Sequence, residues 1–413
     1  MLQRVKPEDK ALSAYMPIVG EQVIEGIRQA AEPLRGARVL HVNATAFGGG
    51  VAEMLYTLVP LMRDVGLDAE WQVIEGADEF FNVTKAFHNG LQGMDLPLTD
   101  DMKAIWREYN ELNVAKFEGD YDFVVVHDPQ PAGLKAMCDG RGGKHWAWRC
   151  HIDTSTPNPA FWDFIAPYLE AYDAGIFTMA QYVARGLAFP HLAIVTPTID
   201  PLSPKNAPLP LGRAREIVAG YGIALDRPLV TQVSRYDPWK DPLGVIDAYF
   251  MVKEQISDVQ LALVGSMASD DPEGWVYYDR TVRHAGEDFD IYILHNFHGV
   301  GNEEVNAFQT VSDVVIQKST REGFGLVVTE ALWKGTPVVG GNVGGIPLQV
   351  IDRETGFLVD SVEACAEKTL YLLQHPDEAQ AMGEKAREHV RTHFLTTRHL
   401  RDYLELFAAQ LDS

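Results

Sequence analysis

Two glutamates separated by seven residues across a glycine turn are the side chains here best suited to chemistry: Arg321-Glu322-Gly323-Phe324-Gly325-Leu326-Val327-Val328-Thr329-Glu330-Ala331. Gly323 and Gly325 free the backbone to face a phosphate where a helix begins, because unpaired N–H groups at that end favour an anion. Glu322, ahead of the turn, can accept hydrogen bonds from sugar hydroxyls. Glu330, read as two turns into the helix, suits a ribose diol. Two solvated glutamates on a helix surface would be the plain alternative. The flanking glycines and the following Gly335-Thr336-Pro337-Val338-Val339 argue against it.

Cations for a diphosphate are available in Ser234-Arg235-Tyr236-Asp237-Pro238-Trp239-Lys240-Asp241, directly after the β-rich run 229–233. At the carboxyl end of a parallel strand, Arg235 and Lys240 can supply fixed positive charge to a leaving diphosphate. A pair of solvated surface cations is the competing reading, and the acidic background favours the functional one. Phe47-Gly48-Gly49-Gly50-Val51 is a second glycine turn between strand and helix. It lets a ligand approach the backbone, although turn geometry alone explains it as well. It is not a GxGxxG fingerprint, so NAD binding is disfavoured.

Other patterns read as structural. Asp120/Asp122 and Asp288/Asp290 match a metal-binding DxD but precede strands. His295 and His298 lack a third ligand, and Trp146 with Trp148 reads as packing. The formal charge of −23 over 413 residues disfavours nucleic acid and anionic membrane surfaces as partners. Three scattered cysteines, Cys138, Cys150 and Cys365, fit a reducing compartment and argue against a disulfide framework. Residues 1–10 are charged and lack an apolar signal core, and no apolar run is long enough to span a membrane, so a cytoplasmic address is expected.

The elements that must position these residues alternate. Runs 37–43, 123–127, 194–196, 229–233, 260–264, 291–294, 314–316 and 337–339 read as buried strands. Amphipathic stretches such as 51–65, 243–256 and 326–334 read as helices. This is the pattern of parallel sheet covered on both faces. Residues 200–212 carry four prolines and read as a linker between halves of similar length. Leu400, Tyr403, Leu404, Phe407 and Leu411 form an apolar stripe on a terminal helix. Two tandem α/β domains are expected to bind ligand in a cleft between the carboxyl ends of their sheets.

The segment EGFGLVVTEALWKGTPVVGGNVGGIP resembles the signature of family 4 retaining glycosyltransferases of the GT-B fold, with SRYDPWK, LVGS and GGIP in the family's order. More narrowly, HVNATAFGGGVAEML, HDPQPAG, WRCHIDTS, SRYDPWKDP and VGSMASDDPEG are similar to the trehalose glycosyltransferring synthases. The resemblance implies an α/β GT-B fold, with two Rossmann-like domains whose parallel sheets face across a cleft. It implies an acceptor-side domain over 1–205, a nucleotide-sugar domain over 206–395, and a final helix, 396–413, crossing back onto the first. The implied reaction is reversible, retaining transfer of glucose from NDP-glucose to glucose, giving α,α-trehalose and NDP.

Carried over residue by residue, the resemblance puts Glu322 on the donor glucose, Glu330 on the ribose, and Arg235 and Lys240 on the diphosphate. Backbone from Gly323, Phe324, Gly325 and Leu326, with Gly265 of LVGS, would line the donor site, and Gly49 and Gly50 would close over the same phosphates. His151 would lie against the donor sugar near the reacting centre, and Asp128 would bind acceptor hydroxyls. His151, Arg235, Lys240 and Glu322 form the implied catalytic set. No cofactor is required and Mg2+ is at most non-essential. The partners are NDP-glucose, glucose and trehalose, with neither nucleic acid nor membrane, and a homodimer is compatible. A trehalose phosphorylase, a glucosyltransferase with another acceptor and a nucleotide-sugar epimerase are the alternatives.

Overall fold

The structure, a computed structural model, describes residues 2–47, 49–267 and 272–411. Gly48 of the first glycine turn and residues 268–271 of the VGSMASDDPEG stretch lie outside the described residues. The chain divides into two compact units, Met1–Thr198 with Thr396–Ser413, and Ile199–Leu395.

The first unit is built on a seven-stranded sheet. Its strands are β1 (Gln3–Val5), β2 (Arg38–Asn43), β3 (Asp68–Val73), β4 (Tyr121–His127), β5 (Gly143–Cys150), β6 (Ala174–Phe177) and β7 (His191–Ile194). The order is β1-β3-β2-β4-β5-β6-β7. All neighbours pair in parallel except the edge strand β1, which runs antiparallel to β3. Strand β7 ends at Ile194, so the run 194–196 is displaced from the strand expected there. On one face Trp106, Trp146, Trp148, Phe87 and Phe161 are buried in a single cluster. The terminal helix Thr396–Leu411 packs in this unit, with Phe407 stacked on Phe123 of β4. Its stripe is buried at Leu400, Tyr403, Leu404 and Phe407, but Leu411 is exposed.

The second unit carries β8 (Leu229–Val233), β9 (Gln260–Val264), β10 (Ile291–Leu294), β11 (Val314–Gln317), β12 (Val338–Gly341) and β13 (Gly356–Val359). The sheet is parallel throughout, in the order β10-β9-β8-β11-β12-β13. Alternation divides its side chains between two cores. Leu261 and Leu263 pack with Val245 and Ile246 of helix Pro242–Lys253, while Ala262 and Val264 pack with Ala307 and Phe308 of helix Asn302–Val311. Burial on both faces is why these strands read as continuous apolar runs.

Residues 199–207 belong to this second unit and are not a free linker. Ile199 N donates to Phe394 O at 2.9 Å, Asn306 Nδ2 donates to Pro204 O at 3.1 Å, and Trp333 Nε1 donates to Asn206 O at 3.1 Å. Helix Leu211–Ala219 begins inside the proline-rich stretch, with Pro210 as its N-cap residue.

One contact in this unit leaves no room for a side chain. A Cβ at Gly383, within helix Pro376–His393, would sit 1.8 Å from Gly335 O. Gly383→Ala is therefore expected to destabilise the protein by about 3 kcal/mol or more, because backbone must move to relieve the overlap. Chemical denaturation checks this, and a midpoint equal to wild type would contradict the packing.

Candidate active site

In both sheets strand order reverses beside a central strand: between β8 and β11 in the second unit, and between β2 and β4 in the first. Open α/β sheets bind ligands outside the carboxyl ends of the strands at such points. Arg235, Lys240, Glu322, Gly49 and Asp128 stand at these points, His151 and Gly265 follow the neighbouring strands β5 and β9, and Glu330 lies within a helix.

In the second unit the loop after β8 holds Arg235 and Lys240, and the loop after β11 holds Glu322. Asp237 accepts from the Trp239 and Lys240 N–H groups at 3.0 and 3.1 Å, which turns the chain into the 3-10 segment Pro238–Lys240. Thr320 N donates to Trp239 O at 2.8 Å and ties the two loops together. Lys240 Nζ then meets Glu322 Oε2 at 2.5 Å, with side chains 17% and 8% exposed. Ser319 Oγ donates to the same oxygen at 3.3 Å. Arg235 is not part of this contact: it is 67% exposed and lies 3.2 Å from Asp237 Oδ2.

Glu322 faces the start of helix Leu326–Trp333. Gly325, its N-cap, has φ +83°, and a Cβ there would come within 3.1 Å of Glu322 Cγ. Both conformation and space select glycine. Gly345 lies so close that a Cβ would meet Phe324 Cα at 2.7 Å, and Gln349 Nε2 donates to Phe324 O. The backbone at Phe324 is thereby held just ahead of a helix start, the kind of position that favours an anion. Gly265 answers to packing, since a Cβ would be 2.4 Å from the Tyr236 ring.

Glu330 stands apart from Glu322. It is little more than one turn into the helix, not two, and its side chain is 2% exposed. Lys205 Nζ lies 3.4 Å from Oε1, and Gln309 Nε2 donates to Oε2 at 3.4 Å. Lys334 Nζ donates to the Glu330 carbonyl at 3.2 Å, and burial lowers the Lys334 ammonium to about 8 against the pull of Glu330. Sequence spacing gave no sign of Lys205, which reaches Glu330 from the proline-rich stretch.

In the first unit the loop after β2 holds Gly49 and Gly50. Gly49 has φ +83° and caps helix Gly50–Asp64. The loop after β4 begins with Asp128, and the loop after β5 begins with His151. Asp128 adopts φ +66°, and its Oδ1 accepts from His151 N at 2.9 Å. Trp148 Nε1 donates to Asp128 O at 3.0 Å, which makes the buried Trp148 a support for this loop. Behind His151 lie two histidines that sequence reading passed over, His127 and His41, and the buried Arg149. His41 and His127 lie on runs read as strands, whereas Arg149 lies on β5, which its apolar pattern did not reveal.

Burial raises the Asp128 carboxyl to about 6, against the opposing effects of the His151 N–H and the Arg149 charge. If Asp128 binds acceptor hydroxyls as a carboxylate, as the resemblance implies, that form is lost as pH falls through this value. The kcat/KM for the acceptor sugar should therefore fall about tenfold per pH unit below 6. Asp128→Asn should lower the plateau and abolish this limb. A limb that persists in the variant would assign it to another group.

Three of the four DxD carboxylates, Asp122, Asp288 and Asp290, are engaged by lysines. Lys253 Nζ lies 2.7 Å from Asp288 Oδ1 and 2.9 Å from Asp290 Oδ2, and Lys144 lies 2.7 Å from Asp122. His295 and His298 cap their own turn. Among the described residues no group of three or more His, Cys, Asp or Glu could hold a metal ion. No helix among them is long and apolar enough to cross a membrane.

Residues 41–184 match the family model described as the trehalose synthase N-terminal domain, and residues 214–389 match glycosyl transferases group 1. The chain is 54% identical to a trehalose synthase of Rubrobacter xylanophilus, over 100% of both chains. This chain belongs to the trehalose synthase family. It is 52% identical to a trehalose synthase of Thermococcus litoralis over 97% of each chain. An α,α-trehalose 6-phosphate synthase structure from Burkholderia multivorans, 15% identical, superimposes with a TM-score of 0.69 over 91% of this chain and 99% of that one. That likeness establishes the GT-B fold. The trehalose synthase family member described here is a glycosyltransferase with a Rossmann-like sheet in each unit.

Proposed function

We propose that this chain transfers glucose from an NDP-glucose to free glucose with retention, reversibly forming α,α-trehalose and NDP without a required metal. The observation that carries this reading is the Lys240–Glu322 pair in front of the Gly325–Leu326 helix start. A cation, a carboxylate and the backbone N–H groups of a helix start together suit a sugar diphosphate. The names of the full-length relatives support trehalose as the disaccharide.

In this reading Lys240 and Arg235 bind the diphosphate with the Gly323–Leu326 backbone, and Glu322 accepts from donor glucose hydroxyls. The exposed Arg235 is free to swing onto a bound anion, and Gly49 and Gly50 supply backbone to the same phosphates. Asp128 orients the acceptor and His151 lies against the donor sugar. The ribose role of Glu330 requires that its carboxylate be shared with Lys205.

The acceptor hydroxyl attacks C1 from the face that the phosphate leaves. The C1–O(phosphate) bond breaks as the new C1–O bond forms, and the acceptor proton passes to the leaving phosphate oxygen. Catalysis is then positioning and charge stabilisation, unlike the two-carboxylate chemistry of retaining glycosidases. The three cysteines, all buried and free, support a reducing compartment, which we take to be the cytoplasm.

Steady-state assays with UDP-, ADP- and GDP-glucose in EDTA test the class. Release of NDP should require added glucose. Release without acceptor would oppose a transferase, and glucose 1-phosphate formed from trehalose and inorganic phosphate alone would indicate a phosphorylase.

A further inference from the structure

His151 ends a chain of three histidines contributed by the carboxyl ends of β2, β4 and β5. His41 Nδ1 lies 3.0 Å from His127 Nε2, and His127 Nδ1 lies 2.9 Å from His151 Nε2. The His127 and His151 rings stack at 11° with centroids 5.3 Å apart. His41 and His127 are buried, whereas His151 is partly exposed. Burial, together with the neighbouring rings and Arg149, keeps His127 and His151 well below the usual histidine range, and burial alone lowers His41 to about 3. All three rings are therefore neutral.

Three neutral imidazoles carry one ring proton each, and two hydrogen bonds must run through them in a single direction. In one arrangement His41 Nδ1–H donates to His127, His127 Nδ1–H donates to His151, and the remaining proton sits on His151 Nδ1. In the other, every donor is Nε2, and His41 Nε2 carries a proton at the inner end.

The inner end decides between them. His41 Nε2 is buried with no hydrogen-bond partner among the described residues. The same buried cluster, against helix Thr396–Leu411, contains Arg149 Nε and Nη1 and Arg398 Nε, donors that also lack an acceptor. Tyr403, whose ring lies edge-on to His41, adds an unpartnered hydroxyl that can donate. A further buried N–H among unmet donors and two guanidinium charges costs more than a lone pair, which that positive surround favours.

We infer that His41 and His127 are positioning residues that hold His151 in the Nδ1–H form, so that it presents a hydrogen-bond donor to an oxygen of the donor sugar. His151 is then not a base at Nδ1. The functional half of this inference rests on the reading of His151 given above; the tautomer does not. His127 and His41 touch neither substrate nor reacting atoms and act only through His151.

The test is 15N–1H long-range correlation NMR on the full chain labelled at histidine, without substrate, with His151 signals assigned by their loss in His151→Asn. A protonated Nδ1 and a bare Nε2 are expected. In His127→Phe the ring should revert to Nε2–H, the form that a neutral imidazole side chain favours in water. The kcat should fall about tenfold or more with KM for NDP-glucose little changed. His127→Gln, whose amide can accept from one neighbour and donate to the other, should keep the tautomer and recover much of the rate.

Nε2–H on His151 in the wild-type protein overturns the inference without needing any variant to fold, as does Nδ1–H surviving in His127→Phe. A flipped tautomer with unchanged kcat would leave the assignment standing and overturn the catalytic reading of His151.

Discussion

Lys240→Met is expected to lower kcat/KM for NDP-glucose about 10³-fold, the largest single effect on turnover. Lys240 is held in place by the Asp237 turn and lies 2.5 Å from Glu322 Oε2. Removing the ammonium withdraws a cation from the leaving diphosphate. It also takes from Glu322, 8% exposed, the ammonium that offsets its charge before an incoming anion. Both effects act against the transition state, where charge on the leaving group is greatest. Arg235→Met should cost less, since its side chain is 67% exposed and its one close charge contact among the described residues is Asp237. Initial-rate kinetics with saturating glucose separate the two. Equal losses would show that the exposed Arg235 shares the load fully.

Glu322→Gln is expected to reduce kcat/KM by about 10²- to 10³-fold while the protein stays folded. Hydrogen bonds accepted from sugar hydroxyls by a carboxylate are roughly twice as strong as those accepted by an amide. The substitution also frees Lys240, which strengthens ground-state binding of the diphosphate. The loss should therefore fall more on kcat than on KM. In the Lys240→Met/Glu322→Gln double variant the two losses should not add, because the residues form one pair. Near-full turnover in Glu322→Gln would remove it from any central role.

The loop that carries the proposed donor site was legible in sequence because its constraints are local. Glu322, Gly323 and Gly325 lie within four positions, and a left-handed cap next to a carboxylate leaves its mark as glycine. Lys240 was legible as a residue but not as the partner of Glu322, a contact spanning 82 positions that only parallel pairing of β8 with β11 creates. The position of Glu330 depends on Lys205, brought in by a stretch that reads as a linker because prolines mask its anchoring to Asn306 and Trp333.

Strands with unbroken aliphatic runs, such as β8 and β9, were recognisable. Strand β5, Gly143–Cys150, was not, since Lys144, His145 and Arg149 interrupt its apolar pattern. Arg149 is there because this strand's carboxyl end builds the histidine cluster, whereas at the other end Lys144 pairs with Asp122 and His145 stacks on Phe123. The short edge strand β1 offers no periodicity to read.

The central claim is retaining transfer between NDP-glucose and glucose. It is tested most directly by 1H NMR of the disaccharide formed in EDTA from NDP-glucose and unlabelled glucose. A single symmetric α-anomeric signal, that of α,α-trehalose, appearing in step with NDP, is the expected result. A β-anomeric signal in the disaccharide would contradict α,α-trehalose as the product, and no disaccharide with any NDP-glucose would contradict the assigned donor and acceptor.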